Sequence, residues 1–227
     1  MSDAFYNIIK EWTVRDYWTP GIKAEVIIDM LLSPFVADIL CRKEKKQFIL
    51  LAKEFPIRPL DSGKTARGNE SFRNAKVDYL LASPDENALY LAELKTSWES
   101  VDWDQVERMI HAKKEPVSDL FYFYDGVRAH SVQKEKYARQ EKGLREKSAK
   151  DPREYSKIRL AYLTLGDDED IKKRLLEKDE TMVVSSVLEK DLYITAPVTD
   201  EKKVLWNYVY DILWECIHPE SRMNIKP

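Results

Sequence analysis

Residues 75–95 read AKVDYLLASPDENALYLAELK, two apolar runs joined by Pro84-Asp85-Glu86-Asn87. A proline-led polar tetrad between runs rich in Leu, Tyr and Ala is the sequence signature of a hairpin. With a four-residue loop, Ser83 faces Ala88 and the register follows: Leu81 opposite Tyr90, Leu80 opposite Leu91, Tyr79 opposite Ala92, Asp78 opposite Glu93, Val77 opposite Leu94. From Leu81 onward every pair but one is apolar on both sides, so both faces are expected to be buried beneath helices, as for central strands of a layered sheet.

On the N-terminal side, GIKAEVIIDMLLSPFVADILCRKEKK has helical apolar spacing interrupted at Ser33-Pro34, which predicts two consecutive helices over 22–32 and 34–43 with serine and proline as cap and first turn. KQFILLAKEFPIRP reads as a strand that Pro56 and Pro59 bring to an end. Between it and the hairpin lies the polar DSGKTARGNESFRNAK. Its GKT is not a phosphate-binding P-loop, because Arg58 stands where the first glycine belongs and no helical pattern follows.

Beyond the hairpin, SVDWDQVERMIHAKKE predicts a helix capped by Asp102 or Ser100, and 117–149 a long, mostly helical charged stretch. KIRLAYLTLG predicts a further buried strand, DEDIKKRLLEKD a short helix, and EKKVLWNYVYDILWECI a closing amphipathic helix with a core stripe at Trp206, Tyr210 and Trp214; TMVVSSVL is ambiguous. The sum is a single α/β domain over 1–227: a central mixed β-sheet with an antiparallel hairpin core, flanked by helices and extended by helical additions at both ends.

Composition narrows the function classes. The chain has 227 residues, 44% hydrophobic and 34% charged, which excludes disordered and low-complexity readings. No apolar run is long enough for a membrane span and the first residues lack the pattern of a secretory leader, so a cytoplasmic protein with no membrane partner is expected. Cys41 and Cys216, far apart in sequence, build neither a disulfide framework nor a short-spaced zinc site. A net charge of -3 excludes a protein coated in positive charge, though not a local basic groove.

The exceptional pair is Asp78 opposite Glu93. Their β-carbons should lie about 5 Å apart inside an apolar sheet, where like charges cannot both ionise comfortably. Something positive should sit between them, and Mg²⁺, with Mn²⁺ as its substitute, is satisfied by one or two carboxylates, carbonyl oxygens and retained waters. Lys95 lies two residues after Glu93 and so on the same face, where its ammonium can orient water or stabilise a phosphate's developing charge. A carboxylate two residues before a lysine occurs five times in the chain, but only Glu93-Leu94-Lys95 lies in an apolar strand with a second acid in register beside it. A plain ion pair with Lys95 would leave the other acid buried without a partner.

In their order of parts these residues resemble the PD-(D/E)xK nuclease superfamily, whose core is helix, three antiparallel strands, helix, strand. The likeness covers about residues 20–115, with 157–166 as the fourth strand; Val77 stands where the family name has proline. The resemblance implies a restriction-endonuclease-like fold and a Mg²⁺-dependent nuclease, with DNA ahead of RNA as partner. It implies that Asp78, Glu93 and the Leu94 carbonyl hold the metal, that Lys95 positions the attacking water, that Glu25 in the first helix is an auxiliary acid, and that Gln105 contacts substrate. Inactive nuclease-fold modules that only bind nucleic acid or protein share the core and form the alternative, and a homodimer would allow both strands of a duplex to be cut.

Two basic stretches could follow a phosphate backbone: 57–77, with five basic and two acidic side chains, and 128–157, with ten and five. Charge runs on helices are usually solvated faces, so weight falls on the first, whose Lys64, Arg67, Arg73 and Lys76 adjoin Asp78. Trp98 and Trp103 flank the site in sequence; packing is favoured over base stacking.

Overall fold

The computed structural model describes residues 3–17, 24–60, 75–188 and 199–218. Five strands form one mixed sheet in the order β1 (Ile49–Ile57), β2 (Ala75–Ser83), β3 (Ala88–Lys95), β4 (Lys157–Thr164), β5 (Val183–Ser186). The first three are antiparallel neighbours, and β4 and β5 join in parallel. The protein is thus an α/β fold whose sheet is covered by helices on both faces.

The hairpin has the expected register from Ser83↔Ala88 to Tyr79↔Ala92. Its loop is a single helical turn, Pro84–Glu86, closed by Asn87 in the left-handed region. Both faces are buried: Leu89 and Leu91 enter one core and Tyr90 and Ala92 the other.

On the first face lie α4 (Trp103–Lys114), α5 (Val117–His130), α6 (Lys134–Lys147) and α7 (Glu169–Lys178), the first three forming the crossover between the parallel strands β3 and β4. Against the second face pack α2 (Ala24–Leu32), α3 (Val36–Glu44) and α8 (Asp200–Ile217), with α1 (Asp3–Tyr17) laid on α8. Among the described residues no helix is long and apolar enough to cross a membrane.

Local chemistry departs from the sequence expectations at four places. Ser33-Pro34 forms a turn rather than a cap, and α3 starts behind Phe35, which makes no side-chain cap. Pro56 lies inside β1 opposite Lys76 instead of ending it, because β1 is the sheet's edge and its free side requires no N–H donor. The charged stretch from 117 divides into α5 and α6 at residues 131–133. Of the closing helix's aromatic stripe, Trp206 and Tyr210 are buried, whereas Trp214 is 40% exposed.

Helix α6 rides directly on β1, and Gly143 permits the approach: a Cβ there would meet the Leu51 carbonyl oxygen at 3.0 Å. Gly143→Ala gains about 1 kcal/mol of helix propensity but drives a methyl into a backbone atom that cannot rotate away, at about 1–3 kcal/mol. A net loss of about 1 kcal/mol is expected, read as a thermal midpoint lower by about 2–4 °C.

Candidate active site

The β2–β3 ladder ends at Tyr79↔Ala92, although β2 continues back to Ala75 and β3 forward to Lys95. Alternation along β2 also breaks here, since Val77 and Leu80 enter one core and Tyr79 and Leu81 the other. On the neighbouring strand the matching irregularity is Glu54, in the left-handed region at φ 48°. Asp78 therefore points sideways toward β3 rather than into either core, and its Oδ2 accepts the Leu94 backbone N–H at 2.8 Å. A strand residue directs its N–H and C=O to the same neighbour, which turns the Leu94 carbonyl toward this gap as well.

Glu93 is 1% exposed and Lys95 12% exposed, with Lys95 Nζ 3.0 Å from Glu93 Oε1. The other oxygen, Glu93 Oε2, is buried and has no hydrogen-bond donor among the described residues. Asp78 and Glu93 are electrostatic neighbours, the Asp78 charge raising the Glu93 carboxyl. With both ionised neither can donate, so their proximity is favourable only if a proton or a cation is shared.

Burial pushes the Glu93 carboxyl up to about 8, reinforced by the Asp78 charge and opposed by Lys95. Asp78 is also raised, first by burial, against the Leu94 N–H and Lys95, which favour its anion. A third acid contributes: Asp29 of α2 raises Asp78 through space, and it accepts from the Tyr79 hydroxyl at 2.5 Å and from Lys53 Nζ. Burial and Asp29 together raise the Tyr79 phenol.

The residues singled out from sequence divide into those brought together and those that are not. Asp78, Glu93, Leu94 and Lys95 form one cluster. Gln105 instead ties α4 to β2, donating from Nε2 to the Lys76 carbonyl at 3.4 Å, while Lys76 Nζ lies 3.5 Å from Glu54. Glu25 falls in the first turn of α2, but its side chain lies outside the described residues, as do Lys64, Arg67 and Arg73 altogether. Trp98 is buried and donates to the Gly166 carbonyl at 2.7 Å, and Trp103 lies under the Arg174 guanidinium at 4.3 Å, both packing roles. Sequence reasoning missed Asp29; its signal was a position one helical turn after Glu25.

No family model, curated protein or solved structure matches the chain.

Among the described residues no three His, Cys, Asp or Glu side chains gather as a closed metal cage. The donors at the ladder's end are of a different kind: two carboxylates, one with an orphaned buried oxygen, and a main-chain carbonyl. All are hard oxygen donors, and their small number suits a cation that keeps several waters, as Mg²⁺ does.

Proposed function

We propose that the chain is a Mg²⁺-dependent nuclease of the PD-(D/E)xK kind, with a restriction-endonuclease-like core, hydrolysing phosphodiester bonds of DNA. The observation that carries this reading is the orphaned Glu93 Oε2, buried beside Asp78 with Lys95 alongside. Two facing acids in a sheet interior cost stability unless a positive charge is shared between them; Lys95 Nζ pairs with Glu93 Oε1, and Oε2 has no hydrogen-bond partner among the described residues.

In this reading Asp78, Glu93 and the Leu94 carbonyl hold the cation. A bound divalent ion supplies Lewis-acid polarisation of the phosphoryl group and charge neutralisation in the transition state. The Leu94 N–H fixes the Asp78 rotamer, so that its second oxygen is presented without reorganisation. Lys95, paired with Glu93 Oε1 at the edge of the gap, would place its ammonium to orient the attacking water and to meet charge developing on the phosphate. Tyr79 and Lys53 hold Asp29, which adds negative potential from the α2 side and favours a cation in the gap.

The test is incubation of the purified chain with plasmid DNA, linear duplex, single strands and RNA, with Mg²⁺ or Mn²⁺. Cleavage that disappears on adding EDTA and falls about a thousandfold in Asp78→Ala is expected. Intact substrates of every form with both metals would overturn the reading.

A further inference from the structure

The second basic stretch, on α6, borders the site in space. A furrow of ≈ 710 Å³ runs between β1 and α6, starting at Asp29 and bounded by Lys53, Lys136, Arg139, Lys142 and Lys147. Five cationic and three anionic side chains line it, in a protein whose net charge is -3. Its continuation past Glu54 adds Lys76 and Lys134 against one further acid, Glu135. Arg139 and Lys142 are 83% and 71% exposed and pair along α6 with Glu135 at 3.5 Å and Glu146 at 3.8 Å, solvent-exposed pairs that cost little to open.

Glu54 has an unusual place in this surface. Its carboxylate receives Lys136 from α6 and Lys76 from β2 at once, and its backbone adopts the left-handed conformation, which costs a non-glycine residue about 1–2 kcal/mol. Gln140 of α6 pins this bend, donating to the Lys53 and Glu54 carbonyls at 2.5 and 3.3 Å. Two converging ammonium groups around one exposed oxyanion make the arrangement that a phosphate oxygen would also satisfy.

We propose that this furrow is the track for the phosphate backbone of duplex DNA leading to Asp78 and Glu93, with Glu54 as an internal competitor for the phosphates; the choice of DNA rests on the nuclease reading. Duplex is favoured over single strand by the lining. Single-strand binders interleave cations with aromatic platforms on which bases stack, and no aromatic side chain lines the furrow among the described residues. A net-positive surface without stacking platforms suits bases already paired and stacked. The 14 residues of α6 extend about 21 Å, along which one strand of a duplex presents about six phosphates.

Binding of the full chain to fluorescent duplex DNA, single-stranded DNA and duplex RNA, measured by anisotropy in EDTA over a salt series, tests this without requiring cleavage. The triple variant Lys136→Glu/Arg139→Glu/Lys142→Glu is expected to lose at least about thirtyfold in duplex affinity and about three in the slope of log affinity against log salt. Glu54→Gln is expected to tighten binding about three- to tenfold by freeing two cations. A control of equal charge change at exposed positions elsewhere, Lys114→Glu/Lys173→Glu/Lys203→Glu, should lose far less, and thermal midpoints establish that every variant is folded. The proposal is overturned if the wild type binds no duplex, if it prefers single strands or RNA, if the two triple variants lose affinity equally, or if Glu54→Gln binds more weakly. Duplex binding through the furrow without hydrolysis would refute the nuclease and leave the track standing. Cleavage unaffected by the furrow triple would do the reverse.

Discussion

Lys95→Ala is expected to lower single-turnover cleavage by about a hundred- to a thousandfold, while DNA affinity in EDTA changes less than about threefold. The asymmetry follows from where the ammonium sits. At 12% exposure and 3.0 Å from Glu93 it is too enclosed to act as a general phosphate anchor, and it lies beside the reacting position instead. An interaction realised only as charge develops lowers the rate and leaves ground-state binding alone. If Lys95→Ala cleaves within about tenfold of wild type, the amine has no role in the chemistry and the assignment of Lys95 fails.

Glu93→Gln is expected to do two opposite things, abolishing cleavage and stabilising the metal-free protein above neutral pH. An unfolded chain's glutamate ionises near 4.3, whereas burial and the Asp78 charge push the folded group up to about 8. The folded state therefore binds the extra proton between these values, so metal-free stability falls as pH rises through the window, by an amount on the order of a few kcal/mol. The amide cannot ionise and still accepts from Lys95, so at pH 8 without metal the variant should melt about 5–10 °C above wild type. Millimolar Mg²⁺ should raise the wild-type midpoint through selective binding to the folded state and leave the variant unmoved. A Glu93→Gln protein that melts lower at pH 8 in EDTA would make Glu93 a structural partner of Lys95 and nothing more.

The hairpin was legible in the sequence because its determinants are local: the turn tetrad sets the register, and unbroken apolar runs on both sides announce two buried faces. Counting residues likewise sets Asp78 opposite Glu93, one position beyond the last ladder pair, Tyr79↔Ala92. What counting could not show is that the ladder stops one pair short of them, so that Asp78 takes a main-chain N–H in place of a ladder bond. Asp78 lies opposite Glu54 of the neighbouring strand, whose backbone is left-handed, a coincidence that no pattern within β2 or β3 encodes. Pro56 misled for a related reason: its effect depends on whether a strand is central or at an edge, and a single segment does not carry that information.

Asp29 and α6 were hidden because their relation to the site is through space. Asp29 belongs to a helix read mainly for its apolar stripe, and it acts on Asp78 through space while Tyr79 and Lys53 hold its carboxylate. The charges of α6 looked like a solvated face, and some of them are. Only the contact of Gly143 with β1, the pinning by Gln140 and the pull of Lys136 on Glu54 show that one side of this helix borders the same end of the sheet as the acids.

The central claim is that Asp78 and Glu93 share a divalent cation. Anomalous diffraction from crystals soaked in millimolar Mn²⁺ at pH 8 tests it most directly. The account predicts a manganese peak between the two carboxylates, with Glu93 Oε2 and the Leu94 carbonyl facing it. A map without that peak, with Glu93 bonded only to Lys95 and Asp78, would contradict it.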